Sequence, residues 1–443
     1  MAHKIGMVGL GCPKNQVDAE IMLDLLRAGG YEITADENQA DAVIINTCGF
    51  IEDAKKEAIE NILELAELKK SGSLKSIIVT GCMAERYKEQ ILSELPEVDA
   101  VVGLGSNKHI CSVVKAALEG CPYSEFGKKT DLELNGERML TTAKYSQYLR
   151  IADGCNNRCT YCAIPMIRGG YRSRKMEDIL SEAEALAKGG TKEIILIAQD
   201  TTRYGEDIYH ELMLPKLLNE LCKIDGIEWI RILYTYPDKI TDELLDTINS
   251  QPKVLKYLDI PLQHASGKVL RRMNRTGDFE SLTKLMEHIR SKVPGITIRT
   301  TLIVGFPGED EDDFEQLGRF VRTVKFDRMG SFTYSPEEGT PAAEFEDQID
   351  EQVKHDRQEI IMTEQQTVNE ELAERKIGTV QRVLVEGYDR LNKCYFGRTE
   401  ADAPEIDGKL FFMSPDKQYN PGDMVNAKVT DLIDFDLIGE IIE

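Results

Sequence analysis

Short apolar runs alternate with amphipathic stretches through the first 120 residues of this 443-residue chain. The stretch 54–70 has apolar side chains at helical spacing, acidic residues just before it and lysines at its end, a charge pattern that matches the helix dipole. Such alternation predicts a doubly wound parallel α/β domain over residues 1–120. The predicted strands are 5–10, 42–46, 76–80 and 100–103, and the predicted helices are 16–28, 54–70 and 88–92.

The alternation resumes between residues 146 and 335, after a stretch without clear periodicity, 121–145, that we interpret as a linker. Six strand candidates separated by helical stretches predict a partial TIM-like barrel of six β/α units. A charged helical stretch, 352–375, completes a central domain over residues 146–375. The strand candidates are 148–152, 193–197, 229–233, 257–260, 297–304 and 330–334.

The last segment, 376–443, changes character. Short β-like runs at 380–385, 409–413 and 424–432 are separated by turn signals, which predicts a small all-β barrel. No stretch approaches the roughly 18 uninterrupted apolar residues of a membrane helix. The start of the chain has no recognisable signal peptide. We therefore expect a cytoplasmic protein without a membrane partner.

Charge and cysteine content narrow the function. The net charge is −23, from 54 basic and 77 acidic residues, which disfavours a large phosphate-binding surface and favours a basic protein or peptide partner. A local basic patch remains compatible with this charge. Ten cysteines in a chain without an export signal argue against a disulfide framework and for metal or redox use in a reducing cytosol.

Three cysteines, Cys155, Cys159 and Cys162, follow a short apolar strand candidate with the spacing C-x3-C-x2-C. We call them the loop trio. A 4Fe–4S cluster normally takes four thiolates, and this loop offers three, so one iron would keep an open position. The alternatives are a zinc site or three unrelated buried thiols. Zinc would need a further Cys or His nearby, and the next histidine is His210.

Three other cysteines, Cys12, Cys48 and Cys82, each follow an apolar strand candidate, and we call them the sheet trio. They are 36 and 34 residues apart (12 to 48, 48 to 82), about one β/α unit each. Because the carboxyl ends of parallel strands share one edge, we expect these thiols to converge on a metal or iron–sulfur site. The alternative is that they are small buried residues. The other cysteines, interpreted as structural, are Cys111, Cys121, Cys222 and Cys394.

With these two trios, the chain resembles the radical S-adenosylmethionine (SAM) methylthiotransferases over nearly its whole length. The resemblance implies an N-terminal methylthiotransferase domain, a radical-SAM barrel and a C-terminal TRAM-type barrel. It also implies two 4Fe–4S clusters. The loop trio matches the cluster whose open iron chelates SAM, and the sheet trio matches an auxiliary cluster that handles the sulfur to be inserted.

Five motifs resemble family members that modify an aspartate of small-subunit ribosomal protein S-twelve. They lie at residues 11–15, 46–51, 199–205, 261–266 and 397–405. In the implied reaction one SAM donates a methyl group to sulfur. A second SAM yields a 5′-deoxyadenosyl radical that removes hydrogen from the aspartate β-carbon, which then takes up the methylthio group. A low-potential electron donor and a sulfur donor are implied, and we expect a monomer.

The alternative within the family is a tRNA methylthiotransferase acting on a modified adenosine beside the anticodon. Residues 376–443 contain 8 Lys/Arg and 13 Asp/Glu, a net charge of −5. The TRAM-type barrels of tRNA-modifying relatives are expected to be basic. The acidic segment therefore predicts no strong nucleic-acid surface and suits a basic ribosomal protein.

The resemblance also implies SAM contacts at the ends of the barrel strands, where such enzymes assemble their sites. The candidates are Tyr161 beside the adenine, Gln199 and Asp200 after the second strand, Gln263 after the fourth and Gly305 after the fifth. The alternative for each is a loop turn or a helix cap. The sequence leaves the catalytic side chains unassigned, since the resemblance implies that the clusters and SAM carry the chemistry.

Two further features after these motifs have open interpretations. His264 is either a general base or a hydrogen-bonding residue. Arg168, Arg172 and Arg174 follow the loop trio as a basic cluster, which either faces an acidic substrate segment or a SAM carboxylate, or forms a solvated loop.

Overall fold

Two six-stranded parallel sheets and one closed barrel contain nearly all strands in the computed structural model of this chain. The structure describes residues 2–414, 416–434 and 436–442, and the side chain of residue 89 is outside the description. Residues 1 and 443, at the ends of the predicted first and last domains, therefore lie outside the described residues.

Strands and helices alternate along the first two thirds of the chain, and strands alone follow the last long helix. The β-strands are β1 Lys4–Gly9, β2 Glu32–Thr34, β3 Ala42–Thr47, β4 Ser76–Gly81, β5 Ala100–Val102, β6 Tyr123–Glu125, β7 Ser146–Arg150, β8 Ala152–Asp153, β9 Arg172–Ser173, β10 Glu193–Ile197, β11 Trp229–Ile232, β12 Val254–Asp259, β13 Thr297–Val304, β14 Arg328–Thr333, β15 Val380–Asp389, β16 Cys394–Thr399, β17 Leu410–Met413, β18 Met424–Ile433 and β19 Asp436–Ile442. The α-helices are α1 Pro13–Ala28, α2 Glu52–Lys70, α3 Cys82–Tyr87, α4 Glu89–Glu94, α5 Ile110–Leu118, α6 Ile164–Arg168, α7 Met176–Lys188, α8 Leu214–Leu221, α9 Asp242–Ser250, α10 Gly267–Arg272, α11 Phe279–Lys292, α12 Glu311–Val324 and α13 Glu351–Glu374.

The first sheet has the order β2-β1-β3-β4-β5-β6, and all its pairs are parallel. Every residue of β3 and β4 is buried, because apolar helices cover both faces of a sheet of this kind. One buried cluster joins the sheet to Ala58 and Ile62 of α2, and another joins it to Met22 of α1 and Val113 of α5. The predicted doubly wound domain is confirmed. The strands β2 and β6 and the helix α5 were not predicted.

The second sheet has the order β14-β13-β12-β11-β10-β7 and is also parallel throughout. The predicted barrel of six β/α units is confirmed, and each strand candidate lies within two or three residues of the observed strand. The last strands form a closed barrel, β15-β16-β17-β19-β18, around the buried side chains of Val383, Tyr395 and Phe412. This confirms the small all-β barrel, although β16 and β19 were not predicted.

Contacts divide the chain into two compact units. The first contains Met1–Thr141, Ala152–Arg174 and Ser335–Glu344, and the second contains Thr142–Ile151, Lys175–Tyr334 and Phe345–Glu443. Both cysteine trios therefore belong to the first unit, while the second sheet and the closed barrel belong to the second. Among the described residues no helix is both long and apolar enough to cross a membrane.

Within the second unit, charged side chains of motif 397–405 form ion pairs with charged side chains of the second sheet. Arg398 places Nη2 2.5 Å from Glu193 Oε2, and Arg328 places Nη2 2.5 Å from Asp402 Oδ1. Glu193 and Arg328 are the first residues of β10 and β14. In barrels of this kind the amino-terminal face serves stability and the opposite face carries the active site. The contacts of this motif are therefore structural.

Candidate functional site

The sheet trio lies where sequence spacing predicted it. The strands β1, β3 and β4 are neighbours in the first sheet. Cys12 lies in the loop after β1, Cys48 directly follows β3, and Cys82 directly follows β4. A Cβ added to Gly11, whose φ is 90°, would lie 2.7 Å from Cys48 Cβ, so glycine is needed for the first loop to touch the second. Cys48 interacts electrostatically with Cys12, and Cys82 with both. The three thiols thus converge.

The thiols of the sheet trio differ in acidity. Burial alone would raise the pKa of Cys12, but the charges of Lys14 and Arg168 and nearby backbone N–H groups outweigh it and lower the pKa. Burial raises the pKa of Cys48, and it raises the pKa of Cys82 to about 12. The three do not all ionise unaided at neutral pH. A bound metal centre deprotonates its coordinating thiols, so this trio, in which Cys82 is buried and Cys12 and Cys48 are partly buried, fits a cluster.

Three thiolates on one edge of a sheet are a donor set that a 4Fe–4S cluster uses, since such a cluster takes its thiolates on separate iron atoms. Within the described part of the chain, no group of three His, Cys, Asp or Glu side chains has the close spacing of a single-ion metal site.

Asn15 fixes the loops that carry two of these cysteines. Its Nδ2 donates to Leu10 O at 2.9 Å and to Thr47 O at 3.0 Å. The backbone oxygen of Asn15 accepts from Asn46 Nδ2 at 2.7 Å. Leu10 and Thr47 lie just before the loops of the sheet trio. Sequence reasoning quoted Asn15 within motif 11–15 but gave it no role, since its partners Asn46 and Thr47 lie more than 30 residues away.

The loop trio lies on a segment that is closed by backbone hydrogen bonds. Cys155 N–H donates to Gly169 O at 3.1 Å, and Cys162 N–H donates to Cys159 O at 3.1 Å. Asn157 N–H donates to Cys155 Sγ at 3.5 Å. All three cysteines of the trio are partly exposed, and none of them forms a disulfide. A short loop that holds three accessible thiols fits a cluster with one iron open to a further ligand.

The segment after the loop trio packs against the sheet trio. Cys82, Leu104, Ala163 and Ile167 form one buried apolar cluster. Because α6 follows Cys162 directly and α3 begins at Cys82, this contact links the two trios inside the first compact unit.

Arg168, at the end of α6, is buried, with 2% of its surface exposed. Its Nη1 donates to Asp153 Oδ1 at 2.9 Å, and its Nη2 donates to Asp18 Oδ2 at 2.8 Å and to Asn15 Oδ1 at 3.1 Å. Because it is buried and paired with these groups, the Arg168 side chain is neither part of a solvated loop nor a cation that faces the substrate. No local signal could have identified it, since Asp18 lies 150 residues away.

Gln199 and Asp200 follow β10 in the second unit, as predicted. The buried Asp200 caps a short helical turn: its Oδ1 accepts from Thr202 N at 3.1 Å and from Thr202 Oγ1 at 2.5 Å. Its Oδ2 also lies 3.2 Å from Arg203 Nε. The helix-cap alternative thus accounts for this carboxylate, and the SAM contacts of Gln199 and Asp200 stay predictions.

Gln263 and Gly305 lie beyond the carboxyl ends of β12 and β13. Gln263 has a φ of 73° and extends the sheet by pairing with Leu302. Gly305 has a φ of 71°, and a Cβ there would lie 2.3 Å from Lys354 Cγ. Packing against Lys354 is therefore enough to require glycine. The SAM contacts of Gln263 and Gly305 stay predictions, as does that of Tyr161 in the first unit.

A buried carboxylate holds the loop at Gly305. Glu309 accepts the Gly305 N–H with its two oxygens at 3.1 and 3.0 Å, and Arg357 Nη1 donates to Glu309 Oε1 at 2.8 Å. His264 Nε2 lies 3.3 Å from Glu309 Oε2, while His264 Nδ1 accepts from Ser266 N–H at 2.9 Å. His264 is therefore a fully buried hydrogen-bonding residue, the second of its two interpretations.

Comparison with family models covers most of the chain in three parts. Residues 4–103 match uncharacterized protein family UPF0004, residues 149–321 match the radical SAM superfamily and residues 377–442 match the TRAM domain.

Curated relatives match over full length. A protein of Acetivibrio thermocellus is 50% identical over 100% of this chain and 99% of its own length. One of Clostridioides difficile is 47% identical over 99% of both chains. Both are named ribosomal protein uS12 methylthiotransferase RimO. Among solved structures, the radical SAM methyltransferase TsrM of Kitasatospora setae, with cobalamin and a 4Fe–4S cluster bound, aligns with a TM-score of 0.57 and 14% identity over 77% of each chain. That likeness shows a shared fold.

Proposed function

Because the chain belongs to the RimO family of ribosomal protein uS12 methylthiotransferases, we propose that it modifies an aspartate of small-subunit ribosomal protein S-twelve. The enzyme is a radical-SAM methylthiotransferase. The proposed reaction replaces a hydrogen on the aspartate β-carbon by a methylthio group. One observation carries the proposal: relatives of that name are about 50% identical over the whole chain.

Two 4Fe–4S clusters and SAM are the cofactors of this family. We assign the loop trio to the cluster that binds SAM and the sheet trio to the auxiliary cluster. When bound, these groups supply the radical and sulfur chemistry, and the protein supplies thiolates, orientation and exclusion of water. The proposed SAM-contacting residues are Tyr161, Gln199, Asp200, Gln263 and Gly305.

The chain's own side chains orient these groups rather than react. Asn15 holds the loops of the sheet trio through the carbonyl groups of Leu10 and Thr47. Glu309 holds the Gly305 loop through its backbone N–H. These contacts support the assignment, because a reactive radical requires cofactors that are held in fixed positions.

The closed C-terminal barrel supports a basic protein substrate. Residues 376–443 carry a net charge of −5. The lining of a cavity of about 1190 Å³ on this barrel includes apolar Met413 and Ile433, three acidic residues and two basic residues; the charged ones are Asp416, Asp436, Glu440, Arg382 and Lys417. Met413 and Ile433 are more than half exposed. An acidic surface with exposed apolar side chains suits a basic protein better than the phosphates of tRNA.

The remaining assignments are part of the same proposal. The domains are residues 1–120, 146–375 and 376–443, with 121–145 as the linker. The enzyme works in the cytoplasm, where its ribosomal substrate is made, as a monomer that receives electrons from a low-potential donor and sulfur from a separate donor.

The test is mass spectrometry of ribosomal protein S-twelve from cells with and without this gene. We expect a methylthio mass increment on one aspartate only when the gene is present. A plasmid carrying the wild-type chain restores the increment, and one carrying Cys162→Ala does not. Unmodified S-twelve in wild-type cells, together with loss of methylthio-adenosine from tRNA on deletion, would overturn the proposed substrate.

A further inference from the structure

Arg168 is the contact through which the loop trio reaches the sheet trio. It lies six residues after Cys162 in the sequence, at the end of the helix whose Ile167 packs on Cys82. Its Nη2 donates to Asn15 Oδ1 at 3.1 Å, and the Cys82 sulfur donates to the same oxygen at 3.8 Å, so the guanidinium lies beside this thiol. The charge of Arg168 also acts on the Cys12 thiol. A single buried cation from one cysteine segment therefore faces the thiols of the other.

The surroundings of this guanidinium fix its position and its charge balance. Asp153 and Asp18 bind its two Nη atoms at 2.9 and 2.8 Å, and all three side chains are almost completely buried. Asn15 accepts from the same Nη2 at 3.1 Å. These hydrogen bonds thus hold the guanidinium of Arg168 in one orientation beside the sulfur atoms. Lys14 is the other cation beside Cys12.

We propose that Arg168 is the positioning residue of the auxiliary cluster and sets its reduction potential, an inference that rests on the proposed assignment of the sheet trio. Adding an electron to a thiolate-ligated cluster increases its negative charge. A fixed cation nearby stabilises the reduced form, and a fixed anion destabilises it. Such effects are strong here because the site is buried and the charges are poorly screened.

Two substitutions then act in opposite directions. Arg168→Gln removes the cation and leaves Asp18 and Asp153 near the cluster, which makes reduction harder and the midpoint potential more negative. Asp18→Asn removes one of the balancing anions and leaves the guanidinium in place, which makes the midpoint potential more positive. A residue with a merely structural role would not give shifts of opposite sign.

The experiment uses the full chain with Cys155, Cys159 and Cys162 changed to Ala, so that the auxiliary cluster is the one observed. The cluster is reconstituted with iron and sulfide, and its EPR signal is followed during reduction by dithionite. The variants are Arg168→Gln, Arg168→Lys, Asp18→Asn and, as a control, Arg27→Gln. Arg27 lies in the same compact unit and pairs with Asp24 at the surface, away from Asp18 and Asp153.

We expect a more negative midpoint for Arg168→Gln, a more positive one for Asp18→Asn, and values near the parent for Arg168→Lys and Arg27→Gln. Equal midpoints in all variants, or shifts of the same sign in Arg168→Gln and Asp18→Asn, would overturn the inference. If Arg168→Gln does not retain a cluster, the shift of Asp18→Asn relative to Arg168→Lys decides. A parent chain that binds no iron would instead refute the assignment of the sheet trio.

Discussion

Glu193 and Arg398 form a buried ion pair, with Oε2 2.5 Å from Nη2, although 205 residues separate them in sequence. Arg231 Nε also donates to Glu193 Oε1 at 2.9 Å. The pair connects the first residue of β10 with β16 of the closed barrel. The motif at residues 397–405 thus contacts the second sheet through a buried charge.

We expect Glu193→Gln to destabilise the protein by about 3–5 kcal/mol, because it leaves two buried guanidinium groups without their carboxylate. The midpoint of urea unfolding, followed by circular dichroism, measures the loss. Glu184→Gln is the control: Glu184 forms an exposed pair with Lys188, and its loss costs about 0–1 kcal/mol. Equal effects of the two substitutions would contradict the role of the buried pair.

The same pair predicts a pH dependence. Burial alone would raise the pKa of Glu193, but the charges of Arg398 and Arg231 lower it to about 2 from an ordinary value of 4.5. The stabilisation is therefore complete above pH 4.5 and is lost as the pH falls toward 2. We expect the difference in unfolding midpoint between the wild type and Glu193→Gln to shrink between pH 5 and pH 3. A constant difference would show that the carboxylate is not ionised in this way.

Cys82→Ala should reduce the iron content of the anaerobically reconstituted enzyme from about eight to about four atoms per monomer, because one of two 4Fe–4S clusters loses a ligand. Reductive cleavage of SAM should persist, since the loop trio is intact. Cys111→Ala is the control, since the Cys111 sulfur lies 3.3 Å from Leu25 O, outside both trios. Full iron content in Cys82→Ala would refute the ligand assignment.

Asn15→Ala should lower the iron content and destabilise the apo-protein by about 2–4 kcal/mol, because the carbonyl groups of Leu10 and Thr47 lose a buried donor. Iron analysis and urea unfolding measure the two effects. Asn61→Ala removes an amide that bonds an exposed helical carbonyl and should change stability by less than about 0.5 kcal/mol. Unchanged iron content in Asn15→Ala would contradict its role in holding the loops.

Glu309→Gln should raise the SAM concentration needed for half-maximal cleavage about tenfold, the effect of losing one charged acceptor at the Gly305 N–H. Iron content should stay the same, which separates SAM binding from cluster assembly. Glu311→Gln is the matched control, because Glu311 also binds Arg357, at 2.6 Å, but is 83% exposed. Equal SAM requirements in the two variants would argue against a SAM role for the Gly305 loop.

Sequence periodicity predicted the elements that repeat a clear pattern. The buried runs of β3 and β4 and the amphipathic helix α2 were predicted within two residues. The strands β2 and β6 have three residues each, too few for a periodic signal. Residues 82–87 form a helix that begins at a cysteine, which apolar spacing alone does not indicate.

In the candidate site, too, the sequence predicted the features that follow a regular spacing and missed those that depend on tertiary packing. Spacing by β/α units predicted that Cys12, Cys48 and Cys82 meet, because parallel topology converts regular separation into proximity. The partners of Asn15 and Arg168 depend on packing between segments far apart in the chain. For that reason the sequence predicts only that Arg168 belongs to a basic cluster. The sequence likewise relates motif 397–405 to the type of substrate, whereas the contacts of this motif stabilise the second sheet.

The first compact unit is built from three stretches of chain, the last of which ends at Glu344. Arg86, in the first stretch, has its guanidinium 2.6 Å from the carboxylate of Glu337, in the last. During translation the amino-terminal stretch emerges long before that carboxylate exists. The first compact unit is therefore completed only after the intervening central strands have been synthesised.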